Sequence, residues 1–566
     1  MINELSDLMT DYKLQLKIYN RKNTSYVMIR TVILVVEIIL LILAIKNIYR
    51  LITLSGILVL FIVFMMICIR HEKVKKFIED YNKRIEIINR YYKRINDDWD
   101  DFIDKGEDFE GDYFVSDLDL IGDHSLFQYL TICHSQRGRE LLFKSLSDPD
   151  ISELNNRQEA IRELNEHLEF CIILEQLSSK GVNTNDQKGA ISENSKSHLI
   201  ELILFSLTSL ISIVLACLSL LGIISGLFLI LYALILLIIC YGYSFIYGKR
   251  FDDIESSCKG FDSYLDIFDL VNEQGFKSRM LKDLSEDLSK GSECIHDLTS
   301  INNLMSIKKN FIGNILFNVF FPLNSFILYK YHLINKQGLF DSLESFGLLE
   351  CLISLSVMGV CQNHLCMGEL NQEIDLSFDD LRHPLLKNCV GNNFECDNDM
   401  IIITGSNMSG KTSFMRTIGI NLVLMYAGTY VCASSFYAPY LKIKTSMRVS
   451  DNLSKGISTF YGELLRIKDM IEMEAPFIGF IDEIFKGTNY NDRILGATSI
   501  INRLKGGSHI IFITTHDFEL CDFDHVVNYY FEERYDDESI SFDYKIRKGK
   551  CQTTNAKYLM ERLHII

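Results

Sequence analysis

Met400-Ile-Ile-Ile-Thr404, running straight into Gly405-Ser-Asn-Met-Ser-Gly410-Lys411-Thr412, decides how the last third of this 566-residue chain is read. The first five residues are apolar or β-branched and make a short buried strand. The next eight fit G-x-x-x-x-G-K-[ST], and a helical pattern opens directly behind them. Each position has a use in holding phosphate. Gly405 and Gly410 free the backbone, so that N–H groups along Ser406, Asn407, Met408 and Ser409 can turn inward. The helix that starts around Ser413 adds the positive end of its dipole. Lys411 supplies a cation for β- and γ-phosphate oxygens, and the Thr412 hydroxyl is a hard oxygen ligand suited to Mg²⁺.

Working outward, two more apolar strands end in polar residues. Phe477-Ile-Gly-Phe-Ile481 leads into Asp482-Glu483, and His509-Ile-Ile-Phe-Ile-Thr514 leads into Thr515-His516. An acid at the end of a buried strand beside such a loop places Asp482 on Mg²⁺ and Glu483 as general base for an attacking water. His516 is placed to sense the γ-phosphate. Loop, strand-Asp-Glu and strand-Thr-His in this order match ATPases of the ABC type, not small GTPases. Strands alternating with helical stretches predict an α/β domain with a parallel sheet from about residue 380.

Upstream the texture is different. Leu51–Ile69 is 19 residues without a charge, about 28 Å as a helix and close to a bilayer core of about 30 Å. Thr31–Ile45 is apolar except for Glu37, and only Lys46–Arg50 lies between the two, so they predict a hairpin. Leu199–Leu221 and Ile223–Tyr247 are apolar except for Glu201 and predict a second. The first segment does not read as a cleaved leader: it begins too far in, and another span follows at once. Lys13, Lys17, Arg21 and Lys22 precede the first hairpin, and Arg70, Lys73, Lys75, Lys76, Lys83 and Arg84 follow it. Lys249 and Arg250 follow the second. This bias puts the flanks, and everything after residue 250, on the cytoplasmic side of a multi-pass protein of the cell (inner or plasma) membrane. Glu37 and Glu201 are expected to face a neighbouring helix or an interface. Phe311–Tyr329 is also apolar, but Asn314, Asn318, Pro322 and Asn324 are costly in lipid without partners, so it is expected to be a buried core helix.

Composition narrows the classes. The formal charge of −17 argues against a protein that coats nucleic acid broadly. The 15 cysteines include no C-x-x-C pair and no zinc pattern with histidine; reduced, mostly buried thiols in a cytosolic compartment are expected, with Cys361 and Cys366 in one helix-like stretch. A mean hydropathy of +0.11 is high for so charged a chain, and the apolar blocks account for it. The expected organisation is a cytoplasmic segment 1–25, hairpin 26–70, basic helix and loop 71–116, helical core 117–198, hairpin 199–247, helical core 248–379 with helix running to about Leu376, and the α/β domain 380–566.

At the motif residues a family resemblance becomes specific. Thr404–Thr412 resembles the TGPNMGGKS loop of the MutS family, with Ser406 and Ser409 in place of Pro and Gly. Phe414-Met-Arg416 and Gly428-Thr-Tyr-Val431 resemble its YMRQ…GSYVPA helix and strand. Ser450–Phe460 with Glu463 resembles SDDLASGRSTFxxE, Ile457 standing where Arg is usual. Asp482–Thr488 resembles DEIGRGT, and Arg382-His-Pro384 the lead-in to the ATPase. Upstream, Leu118–Leu130, Gly138, Leu142, Pro149 and Asn156–Ile161 resemble the start of the family's helical core.

The resemblance implies a P-loop NTPase domain of the MutS type, preceded by an all-α core that two transmembrane hairpins interrupt. It also implies ATP and Mg²⁺ as cofactors and a homodimer in which Ser458 and Thr459 of one chain complete the ATP site of the other. Family membership alone implies DNA as a partner. No Phe-x-Glu wedge precedes the core, membrane segments stand in place of a mismatch-reading domain, and a long DNA clamp does not fit between Tyr247 and Phe311. The expectation is a membrane-anchored ATPase acting on DNA, in contact with lipid, with no small-molecule substrate besides ATP. The competing expectation is an ATP-driven membrane or envelope machine without DNA binding.

Overall fold

The computed structural model describes residues 2–46, 49–180, 199–258, 261–334, 336–397, 399–406, 408–448, 459–485, 488–535 and 540–550. They form two compact units, Met1–Trp99 with His167–Gln176, and Asp100–Glu166 with Leu177–Ile566.

The first unit is built on two long antiparallel helices, Ile2–Ile45 and Arg50–Asn96. At about 1.5 Å per residue each is about 70 Å long. Their polar halves are zipped by aromatic pairs. Tyr19 stacks on Phe77 at 5.1 Å, Tyr12 meets Tyr81 at 5.7 Å, and Tyr26 stacks on His71. Their other halves carry the apolar runs, with Leu34, Ile38, Leu58 and Phe61 exposed. The basic segment after Ile69 therefore continues the second apolar helix without a break.

In the second unit, Gln136–Ser147, Leu154–Glu166 and Arg279–Lys309 pack around Lys336–Cys361. Among the described residues five helices are long and apolar enough to cross a membrane. One of them is this central helix, whose apolar window is 83% buried, so it serves as core. Its Glu350 is fully buried and accepts from the N–H groups of His134 and Ser135 at the head of Gln136–Ser147. The helix ends at Cys361, and Cys366 already lies in a strand, so helix does not run on to Leu376. The described cysteines are all free.

Leu199–Leu220 and Gly226–Ile246 form an exposed hairpin joined by a turn at Gly222. Glu201 faces the neighbouring helix, accepting from Tyr243 at 2.5 Å and from Tyr247 at 3.0 Å. The expectation of one buried helix over Phe311–Tyr329 holds in part: Leu323, Ile327 and Leu328 are buried, but the helix is not continuous. The segment breaks at Pro322, which cannot donate a helical hydrogen bond, into Phe311–Phe320 and Leu323–Leu333. The first piece packs on the hairpin and leaves Leu316, Phe317 and Phe320 exposed.

Among the described residues twelve strands follow: β1 Cys366–Met367, β2 Glu369–Leu370, β3 Asp375–Leu381, β4 Asn392–Asp397, β5 Met400–Thr404, β6 Tyr430–Val431, β7 Ser435–Ala438, β8 Lys442–Ser446, β9 Phe477–Ile481, β10 His509–Thr514, β11 Val526–Tyr535 and β12 Ile540–Lys548. The main sheet has the order β12-β11-β5-β10-β9-β8, parallel except for β12. Strands β5 and β9 are buried along their whole length, as their unbroken apolar runs require. The carboxyl ends of β5, β9 and β10 come together, where open α/β sheets hold their ligands. A smaller sheet, β2-β7-β3-β4, begins within the stretch expected to be helical.

Candidate functional site

The site is assembled from the turns that leave these three strands. After β5 the chain enters the glycine loop, with Gly405 at φ 149° and Gly410 at φ 105°. Gly410 caps the helix Lys411–Ala427. A side chain at Gly405 would meet the Ser409 hydroxyl at 2.9 Å and the Phe531 carbonyl at 3.1 Å. Both positions therefore need glycine, for conformation and for space. Lys411 is buried and donates to the carbonyls of Gly405 (2.9 Å) and Ser406 (2.8 Å), tying its ammonium to the loop. Met408 stands out, exposed, at φ 69°. The Gly410 carbonyl begins the helical hydrogen bonding by accepting from the Phe414 N–H, and the Ser413 carbonyl accepts from the Thr417 hydroxyl at 2.7 Å.

The end of β9 brings the acids. Asp482 lies against Thr412, whose hydroxyl is 3.0 and 2.9 Å from its two oxygens. Thr514, at the end of β10, donates to Asp482 at 2.6 Å and accepts from the Glu483 N–H at 2.8 Å. Glu483 is held at φ 53°, a costly conformation for a residue with a side chain. Its carboxylate reaches the loop cavity on one side and the His516 Nε2 at 3.3 Å on the other. The structure thus brings Lys411, Thr412, Asp482, Glu483 and His516 together, from three strand ends.

The cavity in front of the loop has a volume of about 470 Å³, within the range of small-ligand sites. The rest of its wall includes Leu386, Asn388, Asn392, Phe531 and Tyr544. Tyr544 lies against Gly410, 3.2 Å from where a Cβ would stand. None of these wall residues sits in a recognisable local pattern, and the sequence reading missed them. Asn407 and Ser458 lie outside the described residues; Thr459 opens the helix Thr459–Ile471.

The residues fit a nucleotide with magnesium. Octahedral Mg²⁺ at about 2.1 Å from its ligands sets neighbouring oxygens about 3 Å apart, the separation seen between Thr412 and Asp482. Among the described residues the buried hydroxyls of Ser406 and Ser409 have no hydrogen-bond partner. They are unused polar groups in a loop that lines the cavity.

A buried ionic network supports the site from behind. Asp117 is fully buried, pairs with Arg466 at 2.8 Å and accepts from the N–H groups of Met447 and Arg448. Asp119, two residues on, pairs with Arg416 of the loop's helix and with Arg448. Glu463 accepts from the Phe485 N–H, behind Glu483, and burial pushes its carboxyl above the ordinary range. Asp117→Ala strands the Arg466 cation and is expected to destabilise the second unit by about 3–5 kcal/mol. Asp119→Ala, at a more exposed pair, is expected to cost under about 1 kcal/mol. Urea midpoints of the two variants measure the difference.

Residues 401–559 match the family MutS domain V. The chain is 29% identical over 233 residues to the DNA mismatch repair protein msh3 of Aspergillus oryzae, covering 38% of this chain and 21% of that one. It is 31% identical over 181 residues to MSH3 of Candida albicans, covering 30% and 18%. It is 27% identical over 269 residues to the DNA mismatch repair protein MutS of Streptococcus mutans, covering 45% and 31%. The matched stretch is thus less than a third of the length of each of these relatives. Together the matches show that residues 401–559 are similar to MutS domain V and that the region resembles proteins named for DNA mismatch repair.

Proposed function

We propose that this chain is a membrane-anchored ATPase that binds Mg-ATP in front of the Gly405–Gly410 loop and hydrolyses it. One observation carries the reading: Thr412, Asp482, Thr514, Glu483 and His516 form one connected cluster at the mouth of a cavity floored by the glycine loop. In this reading the loop N–H groups and Lys411 hold the phosphates, and Thr412 and Asp482 hold magnesium. The metal supplies charge neutralisation to the phosphates when bound. Glu483 takes a proton from the water and His516 steers its carboxylate. Tyr544 offers its ring to the base. Tyr544→Ala is expected to weaken ATP binding by about 1–3 kcal/mol, whereas Tyr544→Phe keeps the affinity; titration with a fluorescent ATP analogue distinguishes the two.

The site is completed in a homodimer, with Ser458 and Thr459 facing the γ-phosphate of the other chain. The hairpins Ile2–Asn96 and Leu199–Ile246 anchor the ATPase at the cell membrane, with the sheet in the cytoplasm. The relatives are named for DNA mismatch repair, and we extend a DNA transaction to this chain on that basis. An envelope machine without DNA is the second reading, favoured by the exposed apolar faces of both hairpins. Stimulation of ATP turnover by sheared duplex DNA supports the first reading, and stimulation by anionic vesicles alone supports the second.

A further inference from the structure

Beside the hairpin Leu199–Ile246 stands the broken segment Phe311–Leu333, which neither the ATPase nor the two hairpins account for. Its asparagines argued against lipid in the sequence, yet Asn318 and Asn324 turn inward and find partners, and half-buried Asn314 pairs with Asn318. Asn318 is 6% exposed and donates to the Asn314 carbonyl at 2.9 Å; its own side-chain oxygen accepts from the Asn324 N–H at 3.4 Å. Asn324 is 3% exposed, accepts from Lys308 at 3.0 Å and donates to Ser244 of the hairpin at 3.0 Å. A corner whose polar groups are paired within protein is tolerated at membrane depth.

The opposite face is apolar and uncovered. Leu316 is 50% exposed, Phe317 41%, and Phe320 and Phe321 38% each. Leu316, Phe317 and Phe320 share one side of the helix, and Phe321, just past its end, packs edge-on against Phe317. The face is continuous with the hairpin, because Phe311–Phe320 packs on both hairpin helices. Two contacts fix its depth. Asn324 is level with Ser244, and the Asn318 carbonyl lies 4.0 Å from the Cys240 sulfur. Cys240 is six residues from the helix end at Ile246, about 9 Å along the axis. That is the depth at which interfacial apolar helices sit. Lys309 precedes the segment and Lys249 and Arg250 follow the hairpin, which places cations where lipid phosphates lie, while Lys308 is taken up inside the protein by Asn324 and Ser244.

We propose that Phe311–Phe321 is a shallow membrane-inserted corner whose Leu316, Phe317, Phe320 and Phe321 face contacts acyl chains just below the headgroups. The inference rests on the reading that Leu199–Ile246 spans the bilayer. It turns part of the helical core into a lipid contact, so that the anchor is wider than its spans.

The chain has a single tryptophan, Trp99, so Trp99→Phe gives a silent background for fluorescence. Into it go, singly, Phe320→Trp or Phe317→Trp at the corner, Ile235→Trp deep in the hairpin, and Phe518→Trp on the ATPase surface. The full-length variants are reconstituted in phosphatidylcholine vesicles brominated either near the headgroup or towards the chain ends. The corner variants are expected to be quenched most by shallow bromines, Ile235→Trp most by deep ones, and Phe518→Trp by neither. Quenching of Ile235→Trp with none at either corner position overturns the inference and leaves the anchor standing; a second protein copy on that face would give this result. Absence of quenching at Ile235 and at the corner alike overturns the anchor reading itself.

Discussion

Lys411→Ala is expected to take ATP binding out of the measurable range. The ammonium is the buried cation at the loop, held by the Gly405 and Ser406 carbonyls at the head of its helix. Truncating one partner of a buried charge pair costs about 2–5 kcal/mol, which is roughly 30- to 5,000-fold in Kd. The same change leaves two carbonyls short of a donor, so loss of binding must be separated from loss of fold. Lys411→Met loses the same donor but keeps the apolar stem, so thermal unfolding of the two variants beside the parent measures how much fold is lost along with binding. Equilibrium dialysis with labelled ATP measures the affinity, and retention of parental affinity in both variants would move the site elsewhere.

Glu483→Gln is expected to lower the turnover rate by about 10²–10⁴-fold while ATP binding persists. The substitution keeps the size of the side chain and the hydrogen bond from the Glu483 N–H to Thr514. It also leaves the Asp482–Thr412 contact in place. What it removes is the ability to take a proton. The variant should therefore accumulate in its ATP-bound dimer, visible as a shift to larger mass when Mg-ATP is added. Single-turnover phosphate release and light scattering read the two effects together. Unchanged turnover would reject Glu483 as the base.

These roles were legible in the sequence where chemistry and chain are local. The strand Met400–Thr404, the glycine loop and its helix are contiguous, and Asp482-Glu483 follows its strand directly. The resemblance of Arg416, Glu463 and Asp119 to family positions marked them without saying what they touch, and Asp117 stands just before the matched stretch. Asp117 meets Arg448, 331 residues away, and no periodicity encodes such a pairing. Tyr544 reaches the cavity only because β12 folds back antiparallel beside β11. For a different reason the first half of Phe311–Tyr329 departs from the buried helix expected. Hydropathy and asparagine content describe the segment's composition, but whether the asparagines are costly depends on partners such as Lys308 and Ser244 that come from other helices. The central helix Lys336–Cys361 makes the same point from the other side: its apolar content suffices for a span, yet packing buries it.

The most direct measurement of the central claim is phosphate release by the purified full-length chain in detergent with Mg-ATP, repeated after chelation of the metal. Steady release that stops on chelation, and resumes when Mg²⁺ is restored, is the expected result. No release at any protein concentration, or release that chelation leaves untouched, would contradict the account.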